Sequence, residues 1–364
     1  ANMSENNNAP VNKGHFNLEP EDRLLNYKKK LSKGWEEGYS EYRKQWNLLP
    51  ETKEVSEWPL LVDLELASKC NLKCPMCPTV TGEFIEKRVT PFAKGLMDYN
   101  LVKKVIDEVA GNIYSLRLSW IGESTLHPKL IDAVKYAKDS GIPEVSFLTN
   151  GSKLHLSYMK RLIDAGLDNM TISIDGMDDV YNSIRMPLTF DKTLKKIRTL
   201  REYMKANKID KPLLKIQGIW PAIKENPELY YDTFEPLVDL IAFNPLIDYL
   251  HNDDEIEYID NFYCPQPYQR LVIGASGKVS MCSSDDFQDV EIGDINHESV
   301  YKVWHGKRFD AVRKQHQKKD GFLEIKPCKN CYYPRKTEAN EKTNIRGREI
   351  LIENYINRSQ NIGS

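Results

Sequence analysis

The sequence lacks any long apolar run. In its 364 residues no window approaches the roughly 18 consecutive apolar residues that a membrane-spanning helix needs. Residues 1–16 are rich in Asn and contain no apolar stretch of the kind found in secretory signals. We therefore expect a cytoplasmic protein with no membrane partner.

An excess of charge of one sign is also missing. The 51 basic and 53 acidic residues leave a formal net charge of -2, so the overall field gives no reason to expect nucleic acid as a partner. The hydrophobic share of 40% is sufficient for a large buried core in a chain of this length.

Cysteine is scarce, and its distribution is uneven. The seven cysteines form one group of three, Cys70, Cys74 and Cys77, and one group of four, Cys264, Cys282, Cys328 and Cys331, with none left over. Clustered cysteines in a reducing compartment more often bind metal or react than form disulfides.

The N-terminal part, residues 1–58, is predicted to hold a disordered tail to about residue 17 and one long helix over residues 19–46. Trp35, Tyr39, Tyr42 and Trp46 share one face of that helix. We expect this aromatic face to pack on the body of the protein.

Residues 59–246 alternate between short β-branched runs and longer amphipathic ones, which predicts a parallel sheet with helices outside. Six such strands fit an α/β fold of the partial (β/α)6, TIM-like barrel kind. Functional groups should then lie at the carboxyl ends of the strands. The predicted strands are residues 60–66, 113–120, 145–149, 170–174, 213–219 and 240–243.

The alternation stops after residue 246, and a small second domain is predicted over residues 247–340. Residues 270–282 have the pattern of a hairpin. Residues 341–364 are predicted to be a polar C-terminal tail.

The first cysteine group follows the first predicted strand directly, so its thiols should lie at the mouth of the barrel. Three thiolates in one short loop can hold three irons of a [4Fe–4S] cluster and leave the fourth iron open to a ligand. A structural zinc site is the alternative, but it needs a fourth Cys or His, and the nearest downstream histidine is His127.

The CxxxCxxC loop formed by these cysteines resembles the signature of the radical S-adenosylmethionine (SAM) superfamily. The resemblance implies that the open iron binds SAM, whose reductive cleavage gives a 5′-deoxyadenosyl radical that removes a substrate hydrogen. It further implies a flavodoxin- or ferredoxin-type electron donor. Met76 matches the position that lies against the adenine of SAM.

Five further positions are candidates for SAM contacts by this resemblance, and three of them have a plainer alternative. Gly122 and Glu123 resemble the Gly-Gly-Glu motif, with Ile121 in place of the first glycine; the alternative for Glu123 is a solvated acid. Ser173 and Arg185 match positions that contact the ribose or carboxylate, although Arg185 has the alternative of a surface ion pair. Asn150, the other candidate, has the alternative of a simple turn residue.

The second cysteine group resembles the opening of SPASM and twitch domains, because Cys264 is followed by twelve residues, Gly277, four residues and Cys282. No cysteine follows Cys331, so four thiolates suit one auxiliary [4Fe–4S] cluster, as in the twitch form. A zinc ribbon is the alternative.

Full ligation of an auxiliary cluster by thiolates favours electron transfer and a net oxidation. The resemblance then implies dehydrogenation, which we expect on a carbohydrate-derived small molecule such as an aminosugar, cyclitol or nucleotide sugar. Epimerisation is disfavoured because no cysteine remains to return a hydrogen atom, although Tyr263 or Tyr268 could serve. A peptide-modifying enzyme and an iron–sulfur electron carrier are the remaining alternatives.

Overall fold

A computed structural model describes residues 16–244 and 255–357 of the protein. The strands are β1 (Phe16–Asn17), β2 (Leu61–Leu64), β3 (Ser115–Arg117), β4 (Glu144–Thr149), β5 (Asn169–Ser173), β6 (Leu213–Ile219), β7 (Leu240–Asn244), β8 (Arg270–Ile273), β9 (Lys278–Ser280), β10 (Glu291–Asp294), β11 (Thr337–Ile345) and β12 (Arg348–Tyr355).

The helices surround and extend this set of strands. They are α1 (Glu21–Ser32), α2 (Glu36–Thr52), α3 (Gly82–Arg88), α4 (Tyr99–Val109), α5 (Leu130–Asp139), α6 (Leu156–Ala165), α7 (Asp178–Ile184), α8 (Phe190–Ala206), α9 (Trp220–Ile223), α10 (Pro227–Phe234), α11 (Val300–Trp304), α12 (Lys307–Gln317) and α13 (Lys326–Lys329). Within the described ranges, no helix is long and apolar enough to cross a membrane.

The central sheet confirms the predicted α/β fold and partial barrel. Strands β2 to β7 lie in sequence order and are parallel throughout, with helices between them. Helix α4 shows why the helices pack outside. Val102, Val105, Ile106 and Val109 are its buried residues, and their spacing places them on one face.

The sheet continues into the predicted second domain. Strand β8 pairs in parallel with β2, and β9 and β10 follow it as antiparallel neighbours. The hairpin predicted over residues 270–282 is therefore present and is an extension of the barrel sheet. The predicted boundary at residues 246 and 247 lies outside the described residues and stays a prediction.

Helices α1 and α2 cover the amino ends of the strands, opposite the loop that carries Cys70. In α1, the Arg23 guanidinium donates to the Val238 carbonyl, just before β7. In α2, Tyr42 stacks on Tyr114 at 5.3 Å between ring centroids, just before β3. The Trp46 carbonyl accepts from Gln269, just before β8. The aromatic face thus packs on the body of the protein, as predicted.

One expectation for the N-terminal part was wrong, and the other stays a prediction up to residue 15. The single helix predicted over residues 19–46 is two helices, because the chain turns between Ser32 and Glu36. The predicted disordered tail lies outside the described residues up to residue 15, but Phe16–Asn17 pairs with β7 as an edge strand.

The predicted C-terminal tail, residues 341–364, is also corrected. Residues 337–355 form an antiparallel hairpin, β11 and β12, and residues 358–364 lie outside the described part. The turn residues Arg346 and Gly347 both have positive φ, 50° and 78°, which suits a two-residue hairpin turn and favours glycine at the second position. Arg346 also forms an ion pair with Asp232 at 2.8 Å, which ties the hairpin to α10.

Candidate functional site

The first cysteine loop lies beyond the carboxyl end of β2, as the sequence predicted. Its base is fixed by Ser68, whose hydroxyl donates to the Arg88 carbonyl at 2.5 Å. The loop then turns at the last two cysteines, since the Cys77 amide donates to the Cys74 carbonyl at 3.0 Å. A short 3₁₀ helix, Pro78–Val80, follows at once.

The three thiols lie on a small apolar cluster of their own. Leu72, Cys74 and Ile184 are its buried members, and Cys70, Met76 and Cys77 pack against them. Met76 is thus half-buried beside the cysteines, but nothing in the described residues tests the adenine contact predicted for it. Burial raises the pKa of Cys74 to about 11, against the opposing field of Arg185.

The segment at the end of β3 packs tightly on this loop through Gly122. An added Cβ at Gly122 would lie 2.3 Å from the Ala67 carbonyl oxygen and 2.6 Å from that of Lys69. The next amide, that of Glu123, donates to the Lys69 carbonyl at 2.9 Å. Only glycine permits this approach, so the Gly-Glu pair is joined directly to the residue before Cys70.

The Glu123 carboxylate is not a solvated acid, because its residue is only 3% exposed. It accepts from the Thr149 hydroxyl at 2.9 Å, the Asn150 amide at 2.5 Å and the Thr125 hydroxyl at 2.6 Å. These bonds tie the carboxyl ends of β3 and β4 together. Glu123 therefore holds the site together, and its predicted contact with the SAM amino group stays a prediction.

Asn150 is a turn residue that also reaches the cysteine loop, and its predicted SAM contact stays a prediction. Its side-chain oxygen accepts from the Ser152 amide at 2.9 Å, which is the turn bond. Its side-chain nitrogen donates to Asn71 at 2.9 Å and lies 3.7 Å from the Cys70 sulfur. The structure thus brings Asn150 to the cysteine loop.

Arg185 forms an ion pair, as its plainer reading held, but the pair is mostly buried. Its guanidinium donates to Asp175 at 2.7 Å, and the other Asp175 oxygen accepts from the Ile219 amide at 2.9 Å. The guanidinium also acts electrostatically on both Cys74 and Cys77. Asp175 therefore positions Arg185 beside the cysteines, a role that the sequence analysis missed although Asp175 follows β5 closely.

Ser173 is the last residue of β5 and lies opposite Gln217 of β6 in register. It is half-buried, and its neighbours on either side, Ile172 and Ile174, are fully buried. Alternation then places Ser173 on the other face of the strand. Its predicted SAM contact is untested.

The second cysteine group is assembled from three separate segments. Cys264 precedes the 3₁₀ helix Gln266–Tyr268, Cys282 follows β9, and Cys328 and Cys331 lie in and just after α13. All four line one small cavity. Burial and then the neighbouring Cys331 raise the pKa of Cys264 to about 12.

Two side chains hold these segments together. Gln266 accepts from the Ser283 amide at 2.9 Å, which joins the segments of Cys264 and Cys282. His316 of α12 is 3% exposed, and its Nε2 lies 3.3 Å from the Cys328 sulfur. Burial lowers the pKa of His316 to about 4. Sequence analysis missed His316, because its distance from Cys328 along the chain matches no ligand spacing.

A buried bridge links the two cysteine sites. Glu65, just past β2, pairs with Arg88 at 2.5 Å and accepts from the Ala275 amide at 3.1 Å. The Arg88 guanidinium lies 4.4 Å from the centroid of the Trp120 ring. The Trp120 indole in turn donates to the Ser283 carbonyl at 2.8 Å, next to Cys282. The two sites are therefore parts of one packed unit.

The two groups of cysteine thiols are suited to iron–sulfur clusters. In the described part of the chain, no three or more His, Cys, Asp or Glu side chains are arranged to hold a single metal ion. An iron–sulfur cluster needs no such convergence, because each thiolate binds a different iron. Three thiols on one loop suit an open cluster, and four around one cavity suit a fully ligated one.

Comparisons with known proteins agree with this assignment. Residues 64–214 match the Radical SAM superfamily, and residues 264–332, which span the four later cysteines, match the SPASM iron–sulfur cluster-binding domain. The chain is 31% identical over 174 residues to the tungsten-containing aldehyde ferredoxin oxidoreductase cofactor-modifying protein of Pyrococcus furiosus, covering 46% of each chain. It is 30% identical over 146 residues to the AdoMet-dependent heme synthase of Methanosarcina barkeri, covering 40% of each. The match thus spans less than half the length of these curated relatives.

Solved structures share the fold at lower identity. BtrN in complex with AdoMet and 2-DOIA aligns with a TM-score of 0.54 and 19% identity, covering 77% of this chain and 94% of that one. Native anSMEcpe with bound AdoMet aligns with a TM-score of 0.52 and 16% identity, covering 71% of this chain and 83% of that one. The chain carries a radical SAM domain, which implies SAM and a [4Fe–4S] cluster, followed by a SPASM domain, which implies further iron–sulfur.

Proposed function

We propose that the protein is a radical SAM dehydrogenase that oxidises a carbinol of a carbohydrate-derived small molecule to a ketone. Cys70, Cys74 and Cys77 would hold the SAM-binding cluster, and the four later cysteines one auxiliary cluster. When bound, these groups supply hydrogen abstraction at the first site and accept one electron at the second. The substrate then loses a hydrogen atom, a proton and an electron in total.

The observation that carries this proposal is the closed second site. Its four cysteines line one cavity, so each iron of a [4Fe–4S] cluster would have a protein thiolate and none would be open to substrate. All seven cysteines of the sequence belong to the two sites. The second cluster is therefore suited to moving an electron, and no thiol is left to return a hydrogen atom.

The two tyrosines considered as hydrogen donors for an epimerase lie away from the first site. Tyr268 is 1% exposed and packs with Tyr42 and Leu60 below the amino end of β2. The Tyr263 ring lies 4.8 Å from the ammonium of Lys53, just past α2. Both therefore face the N-terminal helices, which supports dehydrogenation over epimerisation.

Lys215 is our candidate for the proton acceptor. Its neighbours on β6, Leu214 and Ile216, belong to the core beneath the helices, so Lys215 lies on the opposite, concave face. Gln217, two residues on, shares this face and lies opposite Ser173. Burial and then Arg117 lower the pKa of Lys215 to about 7, which suits a general base near neutral pH.

A small substrate suits the position of the N-terminal helices. Lys211, just before β6, donates to the Leu31 carbonyl of α1 at 3.3 Å, so α1 packs at the amino ends of the strands together with α2. Neither helix lies at the mouth near Cys70, where a peptide-binding module would be needed. The electron for SAM cleavage would come from a flavodoxin- or ferredoxin-type protein.

The test is anaerobic assay of the reconstituted enzyme with SAM, a strong reductant and a panel of aminosugars, cyclitols and nucleotide sugars. Because the curated relatives are named for cofactor modification and heme synthesis, cofactor precursors and model peptides belong in the same panel. We expect one sugar-type compound to give 5′-deoxyadenosine and a product two hydrogens lighter. Turnover confined to a peptide or a cofactor precursor would refute the substrate class, and absence of SAM cleavage would favour an electron carrier.

A further inference from the structure

Besides the four thiols, the polar side chains that line the cavity of the second cysteine group are Gln266, Ser284, His316 and Tyr333. Of these, His316 brings a ring nitrogen to 3.3 Å from the Cys328 sulfur. Its ring is fixed from two sides. Helix α12 carries the backbone, and Phe262 packs edge-on against the imidazole at 6.4 Å between ring centroids. The aromatic ring of Phe262 is itself held by Phe322 at 5.3 Å. The imidazole is therefore presented to the cavity in one orientation.

The two ring nitrogens of His316 have different surroundings. Nε2 lies 3.3 Å from the Cys328 sulfur, within hydrogen-bond distance for sulfur. Nδ1 is buried and has no hydrogen-bond partner among the described residues. A buried nitrogen without a partner is unfavourable, and native structures keep such groups mainly where they have a role.

The chemistry of a cluster ligand decides which nitrogen carries the proton. A cysteine bound to iron is a thiolate, which can only accept a hydrogen bond. A neutral imidazole has one N–H, so Nε2 must carry it when Cys328 is bound to iron, and Nδ1 is left as an unpaired acceptor. The contacts in the structure are compatible with this tautomer, since Nε2 lies near the sulfur and Nδ1 has no partner among the described residues.

We propose that His316 donates an N–H···S hydrogen bond to the Cys328 thiolate and thereby raises the reduction potential of the auxiliary cluster. Reduction adds negative charge to the cluster and its sulfurs, and a donor to sulfur stabilises that charge. His316 is thus a positioning residue that makes the second cluster a better electron acceptor. The inference rests on the proposed function, since that function requires the cluster to accept an electron.

The test isolates the second cluster by replacing Cys70, Cys74 and Cys77 with Ala in the full chain, so that only one cluster contributes to the electron paramagnetic resonance spectrum. In this background, His316→Leu should lower the midpoint potential of the second cluster by about 59 mV. This shift corresponds to a roughly tenfold smaller equilibrium constant for one-electron reduction. His316→Asn, whose amide can still donate, should recover part of the shift. The matched control is His305→Ala, because His305 is exposed and its ring contacts the Glu57 carbonyl, at 2.7 Å, and the Tyr301 ring.

An unchanged potential in His316→Leu with the cluster intact would overturn this inference and leave the proposed function standing. If the His316→Leu variant does not retain its cluster, electron–nuclear double resonance on the protein that keeps His316 tests whether His316 donates the hydrogen bond. A weak coupling to an exchangeable proton supports the hydrogen bond, whereas a strong coupling to a histidine nitrogen shows that His316 is an iron ligand and overturns it. Wild-type protein that binds no second cluster would instead refute the proposed function itself.

Discussion

The two cysteine sites of this protein are built in opposite ways. The first is local, with three thiols on one loop whose base is fixed by Ser68 and by the close packing of Gly122. The second is assembled by the fold, with four thiols from three segments around one cavity. On the proposed ligation, the local site would leave one iron position for a ligand, and the assembled site would close every iron position. This difference would allow one chain to combine an open site for chemistry with a closed site for electron transfer.

The strongest way to break the comparison is to remove the first site alone. Wild-type protein reconstituted without oxygen should contain about eight irons, four per cluster. The triple change of Cys70, Cys74 and Cys77 to Ala should leave about four and abolish SAM cleavage, because the second site has its own ligands. Iron analysis and chromatography of 5′-deoxyadenosine measure both results, and loss of all iron would show that the sites are not independent.

The close approach at Gly122 offers the next largest effect. Gly122→Ala places a methyl group 2.3 Å from the Ala67 carbonyl oxygen, so the backbone before Cys70 must move. We expect a loss of about 1–3 kcal/mol in the free energy of unfolding, with weaker SAM binding. Gly82→Ala is the matched control, because nothing lies within 4 Å of an added Cβ at the start of α3. Equal behaviour of the two variants in thermal melting and SAM titration would contradict the packing argument.

The structural features behind these predictions differ in how well they can be predicted from the sequence. The first site was predictable, because the CxxxCxxC loop and its position after a strand are local features. Glycine at residue 122 was matched by resemblance, but its contact with Ala67 depends on how two loops meet. His316 and Asp175 were missed for the same reason, since their partners Cys328 and Arg185 become neighbours only in the folded chain.

The fold shows the same division. Six parallel strands follow from periodicity, whereas the pairing of β8 with β2 joins segments about two hundred residues apart. Strand β11 was missed because its residues are mostly polar and give little alternation. Its pairing depends on tertiary contacts, such as the hydrogen bond from the Trp220 indole to Glu341.

Substitution of Lys215 tests the chemistry proposed for the first site through the proton that the substrate loses. A base is active when neutral, so product formation should rise with pH through about 7, the value to which burial lowers the pKa of Lys215. Lys215→Met should lower product formation about a hundredfold and should remove its rise with pH. SAM cleavage should be retained. Lys195→Met, on the exposed face of α8, is the control. An unaltered pH profile in Lys215→Met would exclude Lys215 as the base.

The smallest expected effect concerns the protein without clusters. Burial raises the pKa of Cys264 to about 12, above the roughly 8.5 of an exposed thiol. A raised thiol pKa favours the folded state below about pH 8.5, and this contribution is lost as the pH rises toward the folded value. Cluster-free protein should therefore melt at lower temperature above about pH 9. Cys264→Ser should reduce this fall in melting temperature with pH. If the fall is the same in the Cys264→Ser variant, other titrating groups cause it.

The measurement that tests the central claim most directly compares wild type with Cys328→Ala on a substrate deuterated at the reacting carbon, in unlabelled water. For wild type, the account predicts deuterium in 5′-deoxyadenosine and a product oxidised by two electrons, both read by mass spectrometry. For Cys328→Ala, it predicts that deuterium transfer continues while the oxidised product is suppressed, because abstraction belongs to the first site and electron removal to the second. Oxidation at the normal rate in a Cys328→Ala protein shown to lack the second cluster would contradict the account.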